Sequence, residues 1–225
     1  MASSNGRPSQ TRDLFGGALT TSLPGNVMDA SDFRQVPDTQ EVFLSEDSDN
    51  SIIFEILQVV SEGAAAADLR EAAQFHFKSI AYDNTAFSTS IDTVSSPFPL
   101  PSSVGTPQQH LYATLEGTQT VSKFNKGEDE ADLVKIFLAV IRVDLGPASS
   151  TTTSEIQQQS QDNARRGGDI TICVNTPLGK ASSIDRDELG QPKLSDSTRS
   201  LVIQAQEAFR NAVHDFKIVD YGLFA

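Results

Sequence analysis

Tryptophan is absent from this 225-residue chain, cysteine occurs once, methionine twice, and 17 basic residues face 30 acidic ones. Each shortage removes a class of protein. The one cysteine, Cys173 in the apolar run ITICV, cannot close an internal disulfide, so nothing demands an oxidising compartment, and the thiol reads as buried and inert. A net charge of -13 repels phosphate backbones and anionic headgroups, and no basic cluster interrupts it, which argues against nucleic acid and membrane as partners. No apolar stretch reaches the ~18 residues of a membrane span, and the opening MASSNGRPSQTR is polar with no apolar signal core, so the chain is expected to be soluble and intracellular.

Catalytic signatures are missing too. There is no G-x-S-x-G, H-E-x-x-H or C-x-x-C, and Gly179-Lys180 lacks the upstream glycine and the following Ser or Thr of a phosphate loop. The acidic EDSDN at 46–50 lacks the mid-loop glycine and terminal bidentate Glu of a calcium loop and reads as a hairpin tip. His76, His110 and His214 show no ligand or triad spacing, and His76 falls on the apolar stripe of a helix as a packed residue. No cofactor and no metal are expected.

Leu, Ile, Val and Phe supply about a quarter of the chain, enough to bury a core. Residues 1–12 are polar and aperiodic, a disordered tail, and 13–225 should form one domain. LFGGALTTSLP at 14–24 reads as a strand entered through the Gly16-Gly17 pair and stopped by Pro24-Gly25, followed by a short acidic turn from Asp29 to Arg34. EVFLS at 41–45 and SIIFEILQVV at 51–60 predict a hairpin, and AAAADLREAAQFHFK at 64–78 a helix with Leu69, Ala72, Ala73 and His76 on one stripe. Residues 83–108 read as loop with an edge strand at 90–94. Strands follow at 110–124, 133–145 and 169–178, the last two a hairpin around a Ser-, Thr- and Gln-rich insertion at 146–168 that cannot repay its ordering entropy. From Leu201 to Phe216 apolar residues recur as on one face of a helix capped at Ser195-Asp196, and the closing VDYGLFA is expected to dock. Hairpins plus two one-sided helices make an α+β sandwich around a mostly antiparallel sheet.

The charge is unevenly placed. Residues 29–62 hold nine acids against Arg34 alone, a net of -8, which points to a basic partner. Asp29, Asp32, Asp38, Glu41 and Glu55 can serve as turn caps and solvated surface, as an acid–base pair, or as a docking face; the residues alone leave the three open.

LFGGALTTSLP, then DASDFRQVPDTQEVF at 29–43, then SIIFEIL at 51–57 resemble the Mog family, the Ran guanine nucleotide release factors. The similarity continues through EAAQFHF at 71–77, both central strands and VDYGLFA. The resemblance implies an α/β/α sandwich with a central antiparallel sheet of about six strands, similar to the PsbP fold. It implies a non-enzymatic protein of nucleus and cytoplasm that binds the GTPase Ran, releases its nucleotide and supports nuclear import, with room for a second, Ran-binding co-factor protein. The alternative is a module on the same fold for another basic partner, without exchange activity. Family acids that contact Ran map onto Asp29, Glu41 and Glu55, with Asp32, Asp38 and Arg34 in the same motif. Gln58 stands where family members can carry an acid, and the shorter members lack the 146–168 insertion.

Overall fold

The computed structural model of the protein describes residues 7–103, 109–122, 127–147, 165–188 and 190–224. Its elements, in chain order, are β1 (Gln10–Leu14), β2 (Leu19–Leu23), β3 (Val27–Asp29), β4 (Gln40–Ser45), β5 (Ser51–Leu57), α1 (Leu69–Asp83), β6 (Ser88–Val94), β7 (Phe98–Pro99), β8 (Leu111–Val121), β9 (Asp132–Pro147), β10 (Arg165–Lys180), α2 (Asp196–His214) and β11 (Lys217–Ile218). The main sheet runs β3-β4-β5-β10-β9-β8-β6, with β7 also paired to β8, and every pairing is antiparallel. A second sheet, β1-β2-β11, is separate from it.

Alternation along the strands sorts side chains onto two cores. Ile52 and Phe54 of β5, Phe137, Ala139, Ile141 and Val143 of β9, and Ile170, Ile172 and Val174 of β10 meet Ala205, Phe209, Ala212 and Val213 of α2 and the leucines of the small sheet. On the opposite face Ile136, Leu138 and Val140, Ala113 and Leu115 of β8, and Cys173 meet Leu69, Ala72, Ala73 and Phe77 of α1. The sheet is thus covered by one helix on each side, the expected α+β sandwich. Gly117 of β8 makes room beneath α1: a Cβ there would lie 2.8 Å from the Phe77 ring and 2.5 Å from the Ser90 carbonyl oxygen.

The caps explain the helix limits. Ser195 Oγ accepts from Thr198 N at 3.2 Å at the expected start of α2. The Asp68 carboxylate accepts from Arg70 N at 2.8 Å, so α1 begins at Leu69 rather than near 64, and Gly63–Ala66 form a separate 3₁₀ turn.

Two expectations need correction, the tail boundary and the strand count. β1 opens at Gln10, inside the expected 1–12 tail; as an edge strand with Gln10, Thr11 and Asp13 exposed it has no apolar alternation to read. The strand expected to be entered through Gly16-Gly17 and stopped by Pro24-Gly25 is β2, Leu19–Leu23, while Leu14 ends β1 ahead of the turn Phe15–Gly17, where φ is +50°, +66° and +92° in succession. The main sheet has eight strands among the described residues, not about six, because β3 and β7 span three and two residues and leave no periodic signal. Residues 1–6, and 148–164 of the 146–168 insertion, lie outside the described residues, whereas Gly146-Pro147 and 165–168 belong to the central hairpin.

A buried polar knot joins α1 to that hairpin. Asp169 of β10 is fully buried and accepts from Arg142 Nε at 2.7 Å, Arg142 Nη2 at 2.8 Å and Val60 N at 3.3 Å, with His76 Nε2 at 3.0 Å. Arg142 Nη1 also donates to the carbonyls of Ala65 and Ala66 at 3.1 and 3.0 Å. His76 is packed as expected, and has in Asp169 a partner 93 residues away. Burial alone would raise the Asp169 pKa, but the hydrogen bonds from Arg142 and His76, the Arg142 charge and the Val60 amide outweigh it and hold it below the usual carboxylate value. Asp169→Asn strands the Arg142 charge and is expected to cost about 3–5 kcal/mol of unfolding free energy, measurable by denaturant titration. Because the folded pKa is depressed, this stabilisation is complete above the ordinary carboxylate range and is lost as pH falls through the folded value. The stability gap between wild type and Asp169→Asn should therefore be wide at neutral pH and close only at the acid end.

Candidate functional site

The acids singled out in the sequence meet at the β3–β4–β5 edge of the main sheet. β3 pairs with β4 through Val27↔Ser45, Met28↔Leu44 and Asp29↔Phe43. At its end the Asp29 carboxylate accepts from Ser31 N at 2.8 Å and caps a single 3₁₀ turn, Ala30–Asp32. Ala30 is fully buried, and its carbonyl accepts from Phe33 N at 3.1 Å and Arg34 N at 3.0 Å. The anchored turn leaves Asp32, Phe33, Arg34 and Asp38 exposed. The chain then rejoins the sheet, with Gln40 N donating to the Pro37 carbonyl and Ile56 N to that of Thr39, both at 2.9 Å.

Register decides which way each acid points. Glu41 lies opposite Phe54 and Gln40 opposite Glu55. Glu41 and Asp29 therefore share the α2 side of the sheet with Phe43 and Phe54, whereas Glu55 and Gln40 share the α1 side with Val42 and Ile53. The expected single acidic face is two faces of one edge. Gln58 is exposed just beyond the end of β5.

The environments differ as well. The Glu41 carboxylate accepts the Phe15 amide hydrogen across 26 residues of chain. That contact gives the glycine pair its purpose: left-handed backbone at Phe15, Gly16 and Gly17 turns β1 back into β2 with the Phe15 amide aimed at Glu41, and since a Cβ on Gly16 or Gly17 would touch nothing within 4 Å, conformation rather than space calls for glycine. Burial raises the Glu41 pKa; the Phe15 amide opposes this and the Asp29 charge adds to it. Glu55 Oε1 accepts from Gln40 Nε2 at 2.7 Å. Among the described residues no Lys, Arg or His forms an ion pair with Asp29, Asp32, Asp38, Glu41 or Glu55, and Arg34 pairs with none of them. The edge thus carries a negative charge for which the described residues supply no counter-ion.

Other chemistry finds little to work with. Burial pushes the Cys173 thiol up to about 12, Glu55's charge adding and Asn175 opposing, so it is no nucleophile. The histidines go to separate neighbours: His76 to Asp169, His110 to the Tyr221 hydroxyl at 2.8 Å, and His214 to Asp215 at 2.7 Å. Among the described residues no three His, Cys, Asp or Glu side chains gather as a metal ion would need. No helix among them is long and apolar enough to cross a membrane. A cleft of about 570 Å³ between α2 and the β4–β5 tip includes Asp47 and Glu207 but none of the seven residues proposed for partner contact.

Sequence reasoning missed three residues that shape this edge. Gln40 holds Glu55, Phe15 holds Glu41, and Phe33 stands in solvent within an otherwise polar block. Only the last had a local signal, an isolated aromatic side chain between Asp32 and Arg34.

With this geometry in hand, residues 12–153 match the family model described as Ran-interacting Mog1 protein. The chain is 31% identical over 217 residues to the nuclear import protein mog1 of Schizosaccharomyces pombe, covering 94% of this chain and 98% of that protein. It is 38% identical over 134 residues to the Ran guanine nucleotide release factor of Danio rerio, covering 59% and 70% of the two chains. The crystal structure of the Saccharomyces cerevisiae Ran-binding protein Mog1p aligns over 97% of this chain and 100% of its own, with 25% identity and a TM-score of 0.62. Family match, identity and fold agree: the chain belongs to the Ran-interacting Mog1 protein family.

Proposed function

We propose that this protein binds Ran through the β3–β4–β5 edge, promotes release of its guanine nucleotide, and supports nuclear protein import, acting in nucleus and cytoplasm. Its relatives carry the names release factor and nuclear import protein. The observation that carries the reading to particular residues is the set of carboxylates, Asp29, Asp32, Asp38 and Glu55, gathered on this edge and its β3–β4 connection with no counter-ion among the described residues. Uncompensated charge on ordered backbone costs folding energy through self-repulsion and is recovered when a basic surface arrives. Glu41 has a different part, anchoring the β1–β2 turn against the edge. Arg34 and Gln58 lie on the rim as neutral or opposing contacts.

Release then needs no covalent chemistry. A protein that binds the empty or loosened GTPase more tightly than the nucleotide-bound one lowers nucleotide affinity by the same factor, since the two equilibria are linked. Basic groups that contact phosphate in the occupied GTPase are left unpaired when the nucleotide departs, and carboxylates on this edge offer them replacements.

The test is dissociation of a labelled nucleotide from purified Ran, followed with increasing protein. The wild-type chain is expected to accelerate it. The triple variant Asp29→Asn, Asp32→Asn, Asp38→Asn keeps the cap at residue 29, because Asn caps as well as Asp. It should need roughly tenfold more protein for the same rate at low salt, a gap that narrows as salt screens exposed charge. An unchanged concentration dependence removes these acids from the site.

Glu41 is separated by stability. Its folded pKa is raised, so what it adds to stability is fullest below the ordinary carboxylate range and is lost as pH rises through the folded value. Glu41→Gln keeps an acceptor for the Phe15 amide without the charge beside Asp29 and should melt at or above wild type at neutral pH, the difference closing in acid. Glu41→Ala strands the amide and should lose about 1–3 kcal/mol by denaturant titration.

A further inference from the structure

We infer that Phe33 is the apolar anchor of this edge, the side chain that seats in a pocket of Ran while the carboxylates around it meet basic groups. The inference rests on the reading above. Phe33 is 68% exposed, between Asp32 and Arg34, so folding gains little from its ring. The backbone beneath it is nonetheless fixed: the turn is capped by Asp29, pinned by buried Ala30 and closed by the Phe33 and Arg34 amides on the Ala30 carbonyl. With the backbone already ordered, only the two torsions of the ring have to be fixed on binding, which offsets little of the apolar burial it gains.

The surroundings point to a protein, and to a basic one. Met28, on the edge strand β3, is 37% exposed close by in the chain, and Asp32, Arg34 and Asp38 are exposed around the turn. An aromatic centre with a polar, charged rim is the composition of a binding hot spot. The rim's acids have no counter-ion among the described residues, and they extend the charge through which Ran binding is proposed. The occupant is therefore Ran, presenting an apolar depression bordered by Lys and Arg. Tyr82, at 85% exposure on α1, is as open to solvent but belongs to a different element and serves as the control.

The experiment measures the affinity of the full chain for nucleotide-free Ran, with Phe33→Ala, Phe33→Leu and Tyr82→Ala. Phe33→Ala is expected to melt as wild type does, to weaken binding about tenfold or more, and to keep the wild-type salt dependence, because it removes contact and no charge. Phe33→Leu should recover to within about threefold of wild type by keeping most of the apolar surface, and Tyr82→Ala should bind normally. Phe33→Ala binding within about twofold of wild type overturns the anchor while leaving Ran binding in place, as does an equal loss in Tyr82→Ala. A wild-type chain that binds no form of Ran overturns the functional reading and the anchor together.

Discussion

The register of β5 is the constraint on which the rest of the edge depends. Pairing on one side with β4 and on the other with β10 puts Phe54 opposite Glu41 and Ile172, and Glu55 opposite Gln40 and Thr171. A slip of one residue would turn Glu55 into the α2 core and Phe54 out of it, a change costing a large apolar burial and a desolvated carboxylate together. The alternation that builds the core is thus the same one that distributes the acids. Nothing in the charge pattern alone could have assigned Asp29 and Glu41 to one face and Glu55 to the other.

That register is fixed at the far end of β5 by polar groups. Asp169 lies opposite Leu57, and its carboxylate takes the Val60 amide while Arg142, bound to the same carboxylate, reaches the carbonyls of Ala65 and Ala66. The segment that leaves β5 and climbs to α1 is tied to the central hairpin at both of its ends. A buried ion pair is weak evidence for net stability, since apolar residues of the same volume often do as well. Its contribution here is directional: apolar contacts would let the segment slide, whereas these donors and acceptors match only in one arrangement. His76 completes the set from the buried stripe of α1, so helix, hairpin and connecting segment share one carboxylate.

What was legible in the sequence had local period or a local cap. The β4–β5 hairpin, the long β9–β10 pair and α2 with Ser195 at its head follow from side chains recurring at two or 3.6 residues. The acidic block and its turn were legible as well, because Asp29 caps two residues downstream. What was not legible joins distant positions. Glu41 and Phe15 stand 26 residues apart, His76 and Asp169 stand 93 apart, and neither pair leaves a spacing that could be searched for. β1 escaped for another reason: an edge strand with polar residues outward looks like a tail until its partner is known. Glu41 carries the sharpest lesson, since a surface acid in a charged block proved to be half-buried and bound to backbone.

Rigidity and charge work together in a release factor acting by linkage. A ligand shifts a two-state protein only as far as its affinities for the two states differ, and a flexible acidic tail would follow its basic partners through either state and discriminate poorly. Two of the carboxylates at this edge are restrained: Asp29 by its own cap and Glu55 by Gln40, while buried Ala30 anchors the backbone of the turn that carries Asp32. On the reading proposed above, such an edge would meet basic groups in a preferred arrangement, and a GTPase whose basic groups are drawn onto phosphate would fit it less well than one whose site is empty. The ordered backbone of the strands and of the capped turn limits the cost of binding to the side chains that have still to be ordered. On the same reading, the energy given up by acids that lack a counter-ion among the described residues is recovered at the encounter, and the sheet that orients Asp29 and Glu55 contributes to selectivity.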